Sequence, residues 1–323
     1  MPLTKKKTLK DFHDFELNSS DFLAAVVEGL SSPQKVLPSK FFYDKVGSKL
    51  FDDICELDEY YPTRSELAIF ETYKHEIADQ VGERVHLVEF GSGSSIKVRT
   101  LMEALKSPLG YLPIDISREH LIQSAEGFSK RFPHIALTAI CADYTSEFDL
   151  PVLTEGHYVG FYPGSTIGNF TPTEAVKFLR NTKKTLGPCG FLIGVDLVKD
   201  HQILNAAYDD ALGVTAAFNK NILARCNREL GTLFNLNAFN HSAFFNPLEN
   251  RIEMHLVSKI NQTIQVRDHT FHFKKDETIH TENSYKYHIK EFSSLAERAG
   301  FTTVKSWVDE NKLFSIHYLK VSS

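Results

Sequence analysis

The stretch Leu87-Val88-Glu89-Phe90-Gly91-Ser92-Gly93-Ser94-Ser95 reads as an apolar strand running into a glycine-rich turn and then a helix. Glycine permits the tight turn and a close approach of a ligand to the backbone, and a helix opening behind it offers unpaired N–H groups. The dinucleotide fingerprint requires a third glycine where Ile96 stands, so the turn carries no pyrophosphate signature. A Gly-x-Gly also fits an ordinary strand-to-helix turn, and its surroundings must decide.

Around this stretch, strand-like and helix-like runs alternate. Val85–Phe90, Tyr111–Ile114, Ala136–Ala142, Tyr158–Tyr162 and Phe191–Leu197 read as strands, with helices between several of them. Thr171, Pro172 and Glu174 mark the start of one helix, and Thr63-Arg64-Ser65-Glu66 has the form of a capping box opening another. Such alternation implies a parallel sheet covered by helices on both faces. Before it come two helical runs, Asp21–Leu30 and Ser48–Leu57. After Lys199 the sequence predicts one long helical stretch, about 202–230, and then short strands such as Arg251–Ser258 and Gln262–Val266. A helix over Glu291–Ala299 and a hairpin of Thr302–Val308 with Leu313–Lys320 close the chain. The expected fold is α/β, a Rossmann-like sheet with a closing antiparallel hairpin, plus a second α+β domain. Residues 64–198 and 287–323 form the first and residues 1–63 and 199–286 the second.

Composition narrows the function. The 323 residues are 42% hydrophobic and 24% charged, an ordinary globular balance, with a net charge of -5. That charge offers no general field for a nucleic acid, and no stretch approaches the 18 apolar residues of a membrane span. Cys55, Cys141, Cys189 and Cys226 lie dozens of residues apart, which fits reduced thiols in a cytoplasmic protein. There is no Gly-x-Ser-x-Gly elbow, phosphate-binding Gly-x-x-x-x-Gly-Lys loop or His-Glu-x-x-His helix. His269 and His272 fall on opposite faces of a strand, so no metal is expected.

Three successive strand ends suit a nucleoside: the glycine turn at the first, and side chains at the next two. Asp115 ends the second strand 22 residues after Gly93, where a carboxylate can take hydrogen bonds from ribose hydroxyls. Asp143 and Tyr144 end the third, offering an acceptor for an adenine amino group and a ring for the purine face. Each also has a plainer reading, as a cap neighbour, a turn residue and a core aromatic. Ligands of open α/β sheets sit outside the carboxyl ends of strands, however, and three such positions in succession favour a nucleoside-bearing cofactor. The fourth strand ends in Pro163-Gly164-Ser165-Thr166-Ile167-Gly168-Asn169, where the Asn169 amide is a candidate substrate contact. Glu282 and Ser284 share one face of a strand, and spacing alone predicts that face to be solvated.

Taken together, the chain resembles the histidine N-alpha-methyltransferases that open ergothioneine biosynthesis, a branch of the S-adenosylmethionine-dependent class I methyltransferases. The resemblance rests on Leu37-Pro38-Ser39-Lys40-Phe41-Phe42-Tyr43-Asp44, Glu59-Tyr60-Tyr61-Pro62-Thr63-Arg64, Glu89-Phe90-Gly91-Ser92-Gly93 and Gly164-Ser165-Thr166-Ile167-Gly168-Asn169. It continues through Asp196-Leu197-Val198-Lys199-Asp200, Ala207-Tyr208-Asp209-Asp210, Ile252-Glu253-Met254 and Thr281-Glu282-Asn283-Ser284. It implies that Gly91, Lys97, Asp115, Asp143 and Tyr144 surround S-adenosylmethionine, with Ser92, Gly93 and Gly164 in the same set. It further implies that Asn169 and Tyr208 hold the amino-acid backbone, that Glu282 and Ser284 bracket an imidazole, and that Tyr43 and Tyr60 lie near the reacting amine.

On this reading the substrate is free L-histidine, trimethylated on its alpha-nitrogen to hercynine without a metal, with Tyr43 acting through a water as the proton relay. Imidazole offers one nitrogen donor and one acceptor, matching Glu282 and Ser284, and Met254 supplies an adaptable wall beside the ring. Two alternatives stand beside it: methylation of another free aromatic amino acid, tryptophan or tyrosine, and a non-catalytic S-adenosylmethionine-binding protein on the same fold.

Overall fold

The computed structural model describes residues 11–14, 19–93, 96–146, 148–153 and 155–322. Ser94 and Ser95 of the glycine-rich turn and the basic N-terminal start lie outside the described residues. Strands β1 (Asp11–Asp14), β2 (Lys35–Val36), β3 (Val85–Phe90), β4 (Gly110–Asp115), β5 (Ala136–Cys141), β6 (His157–Tyr162) and β7 (Gly190–Asp196) precede the long excursion. β8 (Phe239–Asn246), β9 (Arg251–Ser258), β10 (Gln262–Val266), β11 (His269–Phe273) and β12 (Thr278–Tyr285) build it, and β13 (Phe301–Val308) and β14 (Phe314–Val321) come after it.

Eight strands form one sheet in the order β1-β5-β4-β3-β6-β7-β14-β13. β3 pairs in parallel with β4 on one side and β6 on the other, so the chain reverses its direction of winding at β3. A crevice therefore opens beyond its carboxyl end, at Gly91. β4 and β7 are buried along their whole length, which explains their nearly continuous apolar sequences. The closing antiparallel hairpin is present, as expected, and its second strand, β14, inserts between β7 and β13. Helices α1 (Ser19–Ser31), α2 (Lys45–Cys55), α3 (Tyr61–Val81), α4 (Ile96–Ala104), α5 (Arg118–Arg131) and α6 (Pro172–Leu186) come before α7 (His201–Tyr208), α8 (Val214–Arg225) and α9 (Ile289–Arg298). None is long and apolar enough to cross a membrane among the described residues.

The Thr171–Glu174 capping box is present at α6. The Thr63–Glu66 pattern is not one. α3 already begins at Tyr61, with Pro62 in its first turn, and Glu66 lies fully buried in the helix interior. The long helix expected over 202–230 is broken, because the Asp210 carboxylate accepts the Val214 and Thr215 N–H groups and starts α8 afresh after Gly213. A π-helical turn over Cys226–Leu230 ends the run. Residues 11–14, assigned by sequence to the second domain, instead pair in parallel with β5 at the edge of the large sheet.

The smaller sheet has the order β2-β12-β9-β8, with β10 and β11 as a separate hairpin. One apolar core joins Phe22–Tyr61 to Leu204–Ile279, including Phe42, Phe218, Phe239 and Met254. Two others flank the large sheet and draw on Ile69–Val195 and Tyr285–Leu319. Between these cores lie the carboxyl ends of β3–β7 on one side and β12 on the other.

Candidate functional site

Beyond β3 the backbone turns at Gly91, whose φ of +76° is natural for a glycine, and the Gly91 and Ser92 amides donate to the Ile114 carbonyl. The turn is thus tied to the end of β4, where Asp115 accepts the Ser117 N–H at 2.8 Å. Burial pushes the Asp115 carboxyl up, while the Ser117, Ile116 and Ser92 amides pull it back. Ser92 is 1% exposed, and its hydroxyl oxygen has no hydrogen-bond partner. A Cβ at Gly93 would meet nothing within 4 Å. A buried orphan hydroxyl, an open glycine and a buried carboxylate on one turn fit a polar cofactor edge. A cavity of about 900 Å³, lined in part by Gly93, Ile96, Leu50 and His120, adjoins the turn.

Tyr144 stands over Gly91, 3.8 Å from where its Cβ would be, with its ring edge-on to Phe90 and Tyr162. Asp143 has a different occupation from the adenine contact suggested by sequence: Lys40 reaches it at 2.8 Å and Thr145 donates from both amide and hydroxyl. Its carboxyl is held below the usual range because these partners outweigh its burial.

Glu66 explains the next two candidates. It receives the Gly164 N–H at 2.9 Å and the Lys97 ammonium at 2.5 Å, joining α3, α4 and the loop after β6. Burial opposes the Lys97 charge, but Glu66 prevails and raises its pKa. Glu89 lies nearby, hydrogen-bonded by the Tyr111 hydroxyl and pushed by burial to about 8. Sequence reasoning missed Glu66 because its spacing imitates a cap.

Across the crevice, β12 carries a bulge between His280 and Glu282 that sets the register of the residues after it. Glu282 then lies opposite Met254 and Ser284 opposite Ile252, so these side chains share a face. Met254 and Ile252 are core residues and Ser284 is 3% exposed, so this face looks inward and is not solvated. Burial pushes Glu282 up to about 7, with Lys286 pulling the other way. Tyr208 stands 2.8 Å from the Ser284 hydroxyl. The rings of Tyr60 and Tyr208 meet edge-on, and Tyr43 packs edge-on against Phe51 and Phe218. The Glu282 charge acts on all three tyrosines, whose hydroxyls burial pushes above their ordinary pKa.

Asn169 ends a short 3-10 turn behind Gly168. A Cβ at Gly168 would lie 2.7 Å from the Tyr285 carbonyl, so only glycine lets this loop seat against β12. Asn169 and Glu282 consequently line one cavity of about 590 Å³, together with Lys40, Phe178 and Asn283. Asn283, whose amide oxygen is buried without a partner, is a polar group the sequence reading passed over.

The expectation concerning metals meets one cluster among the described residues: Glu253, His255 and His280 bring ligand-type atoms within 4.8 Å. His269 and His272 are not part of it. Arg251 and His255 both hydrogen-bond the Glu253 carboxylate, which they and Asn246 hold at about 2 against its burial.

Residues 22–321 match the family model described as histidine-specific methyltransferase, SAM-dependent. A Mycolicibacterium smegmatis protein named histidine N-alpha-methyltransferase is 40% identical over 287 residues, 87% of this chain and 89% of that protein. A Mycobacterium tuberculosis protein of the same name is 39% identical over 88% of this chain and 90% of its own length. Ergothioneine biosynthesis protein 1 of Neurospora crassa is 27% identical over 95% of this chain, which spans 35% of that longer protein.

Proposed function

Because the chain belongs to the histidine-specific, S-adenosylmethionine-dependent methyltransferases, we propose that it trimethylates the alpha-amine of free L-histidine to hercynine, the first step of ergothioneine biosynthesis. We assign residues 64–198 and 287–323 to the cofactor and residues 1–63, β1 excepted, and 199–286 to the amino acid. One observation carries the substrate: Glu282 and Ser284 share an inward face of β12, opposite apolar Met254 and Ile252. An acidic acceptor and a hydroxyl match the N–H and the lone pair of a neutral imidazole. Indole has only a donor and phenol a single hydroxyl, so either leaves a buried polar partner unsatisfied at a cost of roughly 1–3 kcal/mol.

The cofactor, when bound, supplies an activated methyl carbon on a sulfonium. Gly91, Ser92, Gly93 and Asp115 hold its ribose end, Tyr144 its purine face, and Lys97 and Gly164 its amino-acid end. Asn169 and Tyr208 hold the backbone of the substrate, while Tyr60 and the surrounding aromatics exclude water from the amine. The amine nitrogen must be free of its proton before each transfer, and an alpha-amine is mostly protonated near neutrality. Tyr43, held protonated by burial, passes that proton on through water by accepting it at its oxygen as it donates its own.

Mass spectrometry of the twenty free amino acids incubated with enzyme and S-adenosylmethionine tests the reading. Histidine gaining three methyl groups, located on the alpha-nitrogen by fragmentation, is the expected product. Preferred turnover of tryptophan or tyrosine, methylation of the ring, or cofactor binding without any turnover refutes it.

A further inference from the structure

Lys286 extends the substrate face of β12 by one more step of its alternation, and its side chain is 0% exposed. All three of its ammonium hydrogens have partners: Asp196 at 2.7 Å, the Tyr208 hydroxyl at 3.0 Å and the Ser284 hydroxyl at 2.8 Å. Asp196, 0% exposed, is held in turn by the Tyr61 hydroxyl at 2.7 Å and by Lys199. Burial opposes the Lys286 charge, but Asp196 and Tyr208 hold its pKa up at about 12. The ammonium is therefore a fixed feature of the site at neutral pH.

Its consequence is a matter of counting hydrogens. An ammonium only donates, so the oxygens of Tyr208 and Ser284 both accept from Lys286. The two hydroxyls stand 2.8 Å apart, and one hydrogen bridges them. One hydrogen remains to donate out of the triangle, and one lone pair remains on the oxygen that donates the bridge, where the adjacent ammonium makes it a poor acceptor for a cation.

We propose that Lys286, anchored by Asp196, is a positioning and specificity-determining residue that biases the Tyr208–Ser284 pair toward donating a hydrogen bond to the substrate. With Glu282 as the acceptor on the same face, the site takes a ring that presents one N–H and one unprotonated nitrogen. It disfavours an imidazolium, whose positive charge would face a hydroxyl pair backed by the buried Lys286 ammonium. It equally disfavours a ring without an acceptor atom.

The inference deepens the histidine reading and rests on it, so the two are tested separately. Wild-type turnover of histidine tests that reading; were another amino acid preferred, the Lys286 coupling is measured with that amino acid. Lys286→Met should raise KM for histidine about tenfold or more while kcat stays within about threefold, the pattern of lost uniform binding. Cofactor affinity by calorimetry should be unchanged. Discrimination between histidine and 3-(2-thienyl)alanine, a five-membered aromatic ring without nitrogen, should collapse by a similar factor. In a Ser284→Ala, Tyr208→Phe background the same Lys286→Met change should add little, because its partners are gone. Should Lys286→Met fail to fold for want of a partner to Asp196, Asp196→Asn combined with Lys286→Met removes both charges and carries the same expectations. A folded variant with unchanged KM and discrimination, an undiminished effect in the double-hydroxyl background, or a parallel loss of kcat and cofactor affinity overturns the proposal.

Discussion

Met254 lies directly across from Glu282 in the β9–β12 ladder, so a buried thioether and a carboxyl group share one face of the sheet. The apolar neighbour and the burial around it keep Glu282 near 7. The proposed contact from the ring N–H is stronger to the Glu282 carboxylate than to the neutral acid, so kcat/KM for histidine should rise with pH through a limb near 7. Glu282→Gln should lower kcat/KM by ~1.5–3 kcal/mol of transition-state stabilisation and leave only the limbs that belong to histidine itself. Paired pH–rate profiles decide this, and an unaltered limb in the variant assigns it to another group.

Asp115 both shapes its turn, by accepting the Ser117 N–H, and faces the proposed ribose. Asp115→Asn retains an oxygen for the turn but loses the charge. Its S-adenosylmethionine affinity should fall by ~1.5–3 kcal/mol with folding retained, as read by calorimetry and thermal unfolding. Undiminished affinity in the folded variant removes the ribose contact.

Tyr43→Phe removes the proposed relay hydroxyl while keeping the ring packed against Phe51 and Phe218. Initial rates should fall by about 10²-fold, the lower end of the range for acid–base groups, with little change in KM. Because burial holds the Tyr43 pKa well above 10, the wild-type profile should show no phenolate limb below pH 10. A rate equal to wild type refutes the role.

Glu89 predicts how stability depends on pH. Its folded pKa of about 8 lies above the ordinary carboxyl value, chiefly through burial. The folded chain thus holds a proton that the unfolded chain releases above about pH 4.5. Its favourable contribution is complete below that pH and is lost as pH rises through 8. Glu89→Gln should therefore lose less melting temperature than wild type between pH 5 and pH 9 in the cofactor-free protein. Parallel losses in the two proteins would show that Glu89 does not titrate there.

Activity should survive exhaustive chelation. Restoration of a chelated enzyme by an added divalent ion, and its abolition by His280→Ala, would instead give the Glu253–His255–His280 cluster a metal-binding role.

The range of each interaction decides whether sequence reveals it or conceals it. The strand–turn–helix at Gly91 and the box at Thr171 are local, and their patterns appear in the sequence as they do in the fold. Thr63-Arg64-Ser65-Glu66 has a local form too, but the Glu66 carboxylate is taken by Lys97 and by the Gly164 amide, 98 residues away. The pairing of Lys286 with Asp196 is invisible for the same reason. A trace of it was legible: the period-two alternation that selects Glu282 and Ser284 next selects Lys286, a charge on an otherwise inward face. Spacing alone predicts that face to be solvated, and only the register with Met254 and Ile252 turns it inward.

The chain passes between the apolar cores of its two halves at three places: before α3, after β7 and after β12. Tyr61, Lys199 and Lys286 come from these three passages, and each binds Asp196. Leu197 and Tyr287 add a parallel bridge between two of them. Mechanically this is one anchor in place of three separate straps. The halves also meet away from it, through Ser48–Ser117, Asp52–His120 and Lys45–Glu119, so loss of the Asp196 carboxylate would loosen all three passages at once while those contacts remain. Lys40–Asp143, partly open to water, is a further ion pair between the halves, and unlike the buried Asp196 cluster it is within reach of salt screening.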